Sequence, residues 1–192
     1  MSAANNLQSP PDAKAYLASE RKAKERHEFV DGIIYAMSGA SEAHNLITAN
    51  ITSELHFQMK CRPCKTYSSD MRVKIDTAGH YVYPDVIALC DKAKLEDAHG
   101  DTLLNPAVIF EVLSESTETY DRGRKFSLYR ELGSVREYLL VAQDKQHIEH
   151  YRRQADGQWL LRVLDEADGK INLESLDCTL EMVDIYAKVA LK

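Results

Sequence analysis

The sequence predicts an α/β domain in which a mixed β-sheet is flanked by helices. Three observations predict it. Short runs of alternating, β-rich residues recur along the chain and are separated by stretches with apolar residues at helical spacing. One stretch reads strand, helix, strand, the crossover unit that joins parallel neighbours. The length of 192 residues, 44% hydrophobic and 28% charged, supplies one sizeable core, whereas two full domains would be cramped.

The elements follow in order. "SPPDAKAYLASERKAKER" reads as a helix with Ser9 as its cap and prolines at its first positions, so 1–26 form an N-terminal helical segment and 27–192 a single domain. "HEFVDGIIYAM" holds Asp31-Gly32 between two β-rich runs, the signal of a tight N-terminal hairpin. "SGASEAHNLITANITSELHFQMK" places Leu46, Ile47, Ile51 and Leu55 at helical spacing behind Ser41 as N-cap, with His44 in the first turn. "YSSDMRVKI" and "YVYPDVIAL", joined by the turn-like "DTAGH", predict a second hairpin, with Met71, Val73 and Ile75 on one face. The polar stretch 91–105 has the composition of an exposed loop or short helix.

"AVIFEVLS", then a helix from about Asp121 with Phe126, Tyr129 and Leu132 toward the sheet, then "EYLLVA", make the crossover unit. "HIEHYRR" and "QWLLRVL", joined by Asp156-Gly157, predict a C-terminal β-meander. "EMVDIYAKVALK" predicts a last helix with Val183, Tyr186, Ala187 and Ala190 on one face.

Composition narrows the function. A net charge of −6 opposes non-specific coating of nucleic acid, which needs a positive surface. It does not oppose a nuclease, because acidic metal ligands lower the charge while "RKAKER" and "DRGRK" either meet phosphates or face solvent. No run of about 18 apolar residues could span a bilayer, and the first residues lack the basic start and apolar centre of a secretory signal. A cytoplasmic protein with no membrane partner is expected. Of the four cysteines, Cys61 and Cys64 form a CxxC, but Cys90 and Cys178 stand apart. Without a second pair this is no zinc site, and free thiols suited to a reducing compartment are expected.

The chemistry is concentrated in two anomalies. Glu111 interrupts the apolar strand "VIFEVLS", and Asp85, directly after Pro84, interrupts "YVYPDVIAL". By alternation Asp85 shares a face with Ile87 and Leu89, and Glu111 with Ile109 and Leu113. A buried carboxylate is costly unless paired, protonated or bound to a cation, and two on neighbouring strands repel. The answer is a shared proton, a basic partner or a divalent cation. Lys125, in the first turns of the helix that follows Glu111, can reach back over the strand end; Arg122 and Arg124 compete from other faces of that turn. Asp, Glu and Lys together are the equipment of metal-assisted phosphodiester hydrolysis, with Mg²⁺ (or Mn²⁺) on the carboxylates and an ammonium beside the developing charge.

The ordered set Pro84-Asp85, Glu111 in "EVLSES" and "YDRGRKFSLY" resembles the Uma family of restriction endonucleases, within the PD-(D/E)XK nuclease superfamily. The opening "HEFVDGIIYAMSGASEAHN" and the later "EYLLVAQDKQHIEHYRR" extend the resemblance over nearly the whole chain. It implies a restriction-endonuclease-like core and Mg²⁺-dependent cleavage of DNA. One departure matters: the superfamily places a lysine two residues after the acid, where this chain has Leu113. Lys125 matches the variant in which that lysine has moved to the following helix.

The expected site is therefore Asp85, Glu111 and the Val112 carbonyl on the metal, with Lys125 beside them. Several further readings stay open. His44 either approaches the phosphate or leaving group or faces solvent. Glu28 is either an added ligand or a strand-edge residue, and Asp70 a site residue or a local ion pair with Arg72 and Lys74. Ser114 and Ser116 shape the loop or touch a phosphate, and Asp121 is an N-cap. The alternative function is a nuclease-fold module that binds nucleic acid or a partner protein without cutting. Cutting both strands of a duplex needs two active sites, which makes a homodimer an expectation that no sequence feature demonstrates.

Overall fold

In a computed structural model, residues 12–37, 39–75 and 79–191 are described. Helix α1 (Ala13–Glu20) begins at Asp12, whose carboxylate accepts the Ala15 N–H at 2.7 Å. The expected cap Ser9 and the prolines Pro10 and Pro11 lie outside the described residues, as does most of the turn "DTAGH". Tyr16 of α1 stacks on Phe29 at 5.1 Å and meets Tyr81 at 5.4 Å. The helix stops before "RKAKER", so that run is no helix face: Arg21 pairs with Asp97 and Asp101, and Arg26 with Asp70.

The α/β class with a mixed sheet and flanking helices holds, but the strands divide between two sheets and a ribbon. The first sheet has the order β2-β1-β5-β4-β7. It contains β1 (His27–Val30), β2 (Ile33–Ala36), β4 (Arg72–Lys74), β5 (Tyr81–Val82) and β7 (Thr102–Leu103). The second has the order β11-β10-β9-β8-β6-β3. Its members are β3 (Lys65–Ser68), β6 (Val86–Leu89), β8 (Val108–Val112), β9 (Glu137–Val141), β10 (His147–Arg153) and β11 (Trp159–Asp165). β12 (Lys170–Leu173) and β13 (Cys178–Glu181) pair with each other.

The expected second hairpin is the point of division. Each of its long strands breaks in the middle, so that β4 pairs β5 in one sheet while β3 pairs β6 in the other. The physical reason is legible at Pro84, which has no N–H for a ladder and ends pairing between Val82 and Val86. The stretch 91–105 is likewise more than a loop, since β7 lies parallel to β4. The N-terminal hairpin forms as expected: Asp31 and Gly32 have φ of 53° and 78°, both positive as a type I′ turn requires.

β8 and β9 are parallel, and the connection between them runs through α3 (Glu118–Tyr120), a π-helical turn (Asp121–Lys125) and α4 (Phe126–Glu131). One face of the second sheet, with Val86, Val108, Phe110 and Leu139, packs on Ile47, Ile51, Leu55 and Met59 of α2 (Glu42–Met59). The other, with Ile87, Ile109 and Leu140, packs on Leu128 and Tyr129 of α4. Each Ile or Leu so buried contributes about 1.5–3 kcal/mol.

The last helix is shorter than the sequence pattern suggests. α5 (Met182–Ile185) buries Met182 and Ile185, with Tyr186 just beyond, while Val183 is 69% exposed. Of the face expected from one helical period over "EMVDIYAKVALK", Tyr186 is buried but Val183 and Ala190 are exposed, because the helix ends at Ile185. The cysteines also differ from expectation. Cys64 and Cys90 form a disulfide at the β3–β6 end, and only Cys61 and Cys178 are free thiols.

Candidate active site

The site is built where β6 and β8 run antiparallel. Their register pairs Val86 with Phe110, and one further step brings Asp85 opposite Glu111. Asp85 is held at both oxygens: the Val112 N–H donates to Oδ2 at 2.7 Å, and His44 Nε2 lies 2.9 Å from Oδ1. Ser41 caps α2 by accepting the His44 N–H at 3.1 Å. The residue that starts the helix thus also sets His44 over the strand end.

Lys125 arrives from the π-helical turn. Its Nζ is 3.0 Å from Glu111 Oε1, 3.0 Å from Glu28 Oε1 and 3.7 Å from Asp121 Oδ1. The competing arginines are engaged elsewhere, Arg122 with Glu118 and Glu149, Arg124 with Asp31. Glu28 also accepts the Tyr83 N–H at 3.0 Å and the Tyr120 hydroxyl at 3.2 Å. Glu111 Oε1 accepts the Tyr129 hydroxyl at 2.8 Å. π turns are uncommon and often sit at functional positions; here one turns both Asp121 and Lys125 inward, and both are buried.

Four carboxylates, Glu28, Asp85, Glu111 and Asp121, act on this one ammonium. Burial by itself lowers the Lys125 pKa, but these carboxylates outweigh it and hold the ammonium protonated. Burial pushes the Glu111 carboxyl well above the usual carboxylate range; Lys125 opposes the shift, and Asp121, Asp85 and Glu28 add to it. The ionised cluster is rich in negative charge, which a hard divalent cation would balance. The clustered donors are carboxylate oxygens, the ligand type of hard cations such as Mg²⁺, but among the described residues no three His, Cys, Asp or Glu side chains are grouped so as to hold a metal ion.

Access is one-sided. The Glu111 and Lys125 side chains are 3% and 6% exposed, Asp85 and His44 12% and 17%, so the site opens at the His44–Asp85 end. Near the β8 terminus lies a cavity of about 570 Å³ whose lining carries three carboxylates, Glu115, Glu118 and Asp144, against the cations Arg122 and Lys145.

The sequence-expected residues Asp85, Glu111, Lys125 and His44 come together, and Val112 joins them through its N–H. Glu28 is no strand-edge residue, being 5% exposed and bonded to Lys125. Asp121 is no N-cap, since the helical stretch starts after Thr117 and Asp121 is buried in the cluster. Asp70 lies in an exposed pair with Arg26, while Arg72 pairs with Asp101 and Lys74 with Glu96. Ser114 Oγ accepts the Thr117 N–H at 3.2 Å and so shapes the loop. Tyr129, Tyr120 and Tyr83 were not foreseen. A signal existed for the first: Asp121, Lys125 and Tyr129 follow one another at i+4 spacing, which places them on one side of a helical stretch.

The fold and the family it belongs to make this a protein of the restriction-endonuclease-like class. Residues 13–183 match the Uma2 family model, described as "Putative restriction endonuclease", and the chain belongs to the Uma2 family. Two proteins of Synechocystis sp. (strain ATCC 27184 / PCC 6803 / Kazusa) are similar over most of its length. "Uncharacterized protein sll1609" is 38% identical over 152 residues, 79% of this chain and 86% of that one. "Uncharacterized protein slr1290" is 34% identical over 175 residues, 91% and 90% of the two chains. A crystal structure titled as "a putative nuclease belonging to DUF820" from Anabaena variabilis ATCC 29413 superposes with a TM-score of 0.76 at 19% identity, covering 94% of this chain and all of that one. That likeness concerns the fold. Among the described residues no helix is long and apolar enough to cross a membrane.

Proposed function

We propose that the protein is a metal-dependent endonuclease that hydrolyses phosphodiester bonds of DNA. The observation that carries the reading is Lys125 Nζ at 3.0 Å from Glu111, with Asp85 at the adjoining strand end. The arrangement supports reading Asp85, Glu111 and Lys125 as the counterpart of the superfamily's Asp, Glu and Lys, with the lysine at a different sequence spacing.

In this reading Asp85, Glu111 and the Val112 carbonyl would hold Mg²⁺, or Mn²⁺ in its place, and a cation held there would supply Lewis-acid polarisation of the phosphate and of water. The phosphate approaches from the His44–Asp85 end, where the side chains are least buried. The Lys125 ammonium, fixed by Glu28, orients the attacking water and offsets the charge that develops on phosphorus-bound oxygen. His44 fixes the orientation of Asp85 through Oδ1, and in this reading it also serves the leaving group.

The depth of burial favours a second reading, a nuclease-fold module that binds nucleic acid or a partner protein without cutting. One experiment separates the two. Supercoiled and linear DNA are incubated with the protein and Mg²⁺, Mn²⁺ or EDTA, beside Asp85→Ala, Glu111→Ala and Lys125→Ala. Cutting that needs the metal and all three residues supports the enzyme. Cutting unchanged in Lys125→Ala would remove Lys125 from the mechanism, and no cutting by the unmodified protein would leave the binding module.

A further inference from the structure

We propose that helix α1 is a positioning element of the active site, acting through Glu20 and Tyr83. The inference deepens the nuclease reading and rests on it for its kinetic arm. Glu20 is a carboxylate only 3% exposed at the end of α1, and among the described residues the hydrogen bonds of its side chain go to His27 and Tyr83, the residues beside Glu28 and Pro84-Asp85. Its Oε1 accepts the His27 N–H at 2.9 Å and the Tyr83 hydroxyl at 3.0 Å, and its Oε2 lies 3.0 Å from His27 Nδ1. His27 precedes Glu28 in the chain, and Tyr83 precedes Pro84-Asp85.

Tyr83 is the centre of the argument because it contacts both sides of the site. Its N–H donates to Glu28 Oε1 at 3.0 Å, and its carbonyl accepts from Lys125 Nζ at 3.5 Å. It stands between β5, which ends at Val82, and β6, which begins at Val86, where the chain passes from one sheet to the other. Outside both strands, the segment that delivers Asp85 is steadied by the Tyr83 side chain. The phenol donates to Glu20 and accepts from Arg72 Nη1 at 2.8 Å. Arg72 is fixed in turn by Asp101 at 2.8 Å and by Thr102. One phenol therefore ties α1 and β7 to the backbone that cradles Glu28 and Lys125, and a small misplacement there weakens catalysis steeply.

The test compares the full-length Tyr83→Phe and Glu20→Gln with Tyr186→Phe, a control that loses a buried phenol's bonds to Ala142 and His147 away from the cluster. Two quantities are read at matched folded fraction: the acetylation rate of Lys125 by acetic anhydride, followed by mass spectrometry, and kcat beside KM on a DNA substrate. Positioning predicts several-fold faster Lys125 acetylation and a kcat lowered about 10- to 100-fold, with KM unchanged, in Tyr83→Phe and Glu20→Gln but not in Tyr186→Phe. Lys125 acetylation that stays at the unmodified rate in both variants overturns the proposal, as does a change equally large in the control. If the unmodified protein cuts no DNA, the nuclease reading fails while the acetylation arm still decides the positioning of Lys125.

Discussion

Lys125 Nζ lies 3.0 Å from Glu111 Oε1, although a loop, a short helix and a π turn separate the two in the chain. The two side chains are only 3% and 6% exposed, so the pair's worth depends on what remains when one member is removed. Breaking a buried ion pair costs about 3–5 kcal/mol, because the surviving charge has lost its partner and is poorly hydrated. Lys125→Met should destabilise the protein by about that amount at pH 8. The sign of its pH dependence follows from the carboxylates. A group whose folded pKa lies above its unfolded value takes up its proton first in the folded state, and burial already raises Glu111 in this sense. Removing the ammonium raises the cluster further, so the deficit should shrink between pH 8 and pH 5. Urea unfolding of both proteins at the two pH values checks it, and an equal deficit at both would contradict it.

How much of this was legible in the sequence depends on whether the determining contact is local. Asp85 and Glu111 were visible because a carboxylate in an apolar run must be paired, protonated or bound to a cation, and Lys125 because its helix must start near the end of the strand that holds Glu111. Tyr129 and Asp121 carried a readable spacing with Lys125, but each also fitted a simpler role, as core aromatic and N-cap. The division into two sheets was hidden. It turns on Tyr83, Pro84 and Asp85, a break too short to interrupt an alternating pattern that looked continuous. Contacts such as Arg21 with Asp101 join distant segments, and no periodicity records them.

Asp101 should make stability depend on acid. The Arg21 guanidinium beside it, with Arg72 and the Thr102 hydroxyl, holds its carboxyl far below the usual carboxylate range against the opposing effect of partial burial. A depressed folded pKa stabilises the protein fully above the unfolded value of about 3.9, and that contribution is lost as pH falls toward the folded one. Asp101→Asn should therefore cost about 1–3 kcal/mol at pH 7, and the gap to the unmodified protein should close only below about pH 4. Thermal or urea unfolding across pH 3–7 reads both features. A gap that stays constant to pH 3 would assign the loss to packing and not to charge.

The Cys64–Cys90 disulfide spans a sequence separation of 26. Closing a segment of that length restricts the unfolded chain by about 3–4 kcal/mol in the chain-entropy account. Cys64→Ser should lower the urea midpoint correspondingly, and reductant should lower that of the unmodified protein but not of the variant. Cys61→Ser should leave both unchanged, because that exposed thiol takes no part in the bond. Peptide mapping without reductant gives the direct check: a Cys61–Cys64 peptide in place of Cys64–Cys90 would refute the pairing.

Glu111→Gln separates stability from activity most sharply. The amide oxygen can still accept from Tyr129 and Lys125, while Lys125 keeps Glu28 and Asp121 as partners. What disappears is one negative charge from a buried cluster in which burial and the neighbouring carboxylates already disfavour the ionised form. The fold should consequently lose less than about 1 kcal/mol, or gain a little, at pH 8, as is common when a site strained for function is relieved. On the proposed nuclease reading, in which Glu111 helps to hold the metal, cleavage should fall by about 100-fold or more. Stability comes from urea unfolding and activity from loss of supercoiled substrate on the same preparations. A destabilisation above about 3 kcal/mol would make Glu111 primarily the structural counter-ion of Lys125, and cutting at the unmodified rate would take it out of the active site.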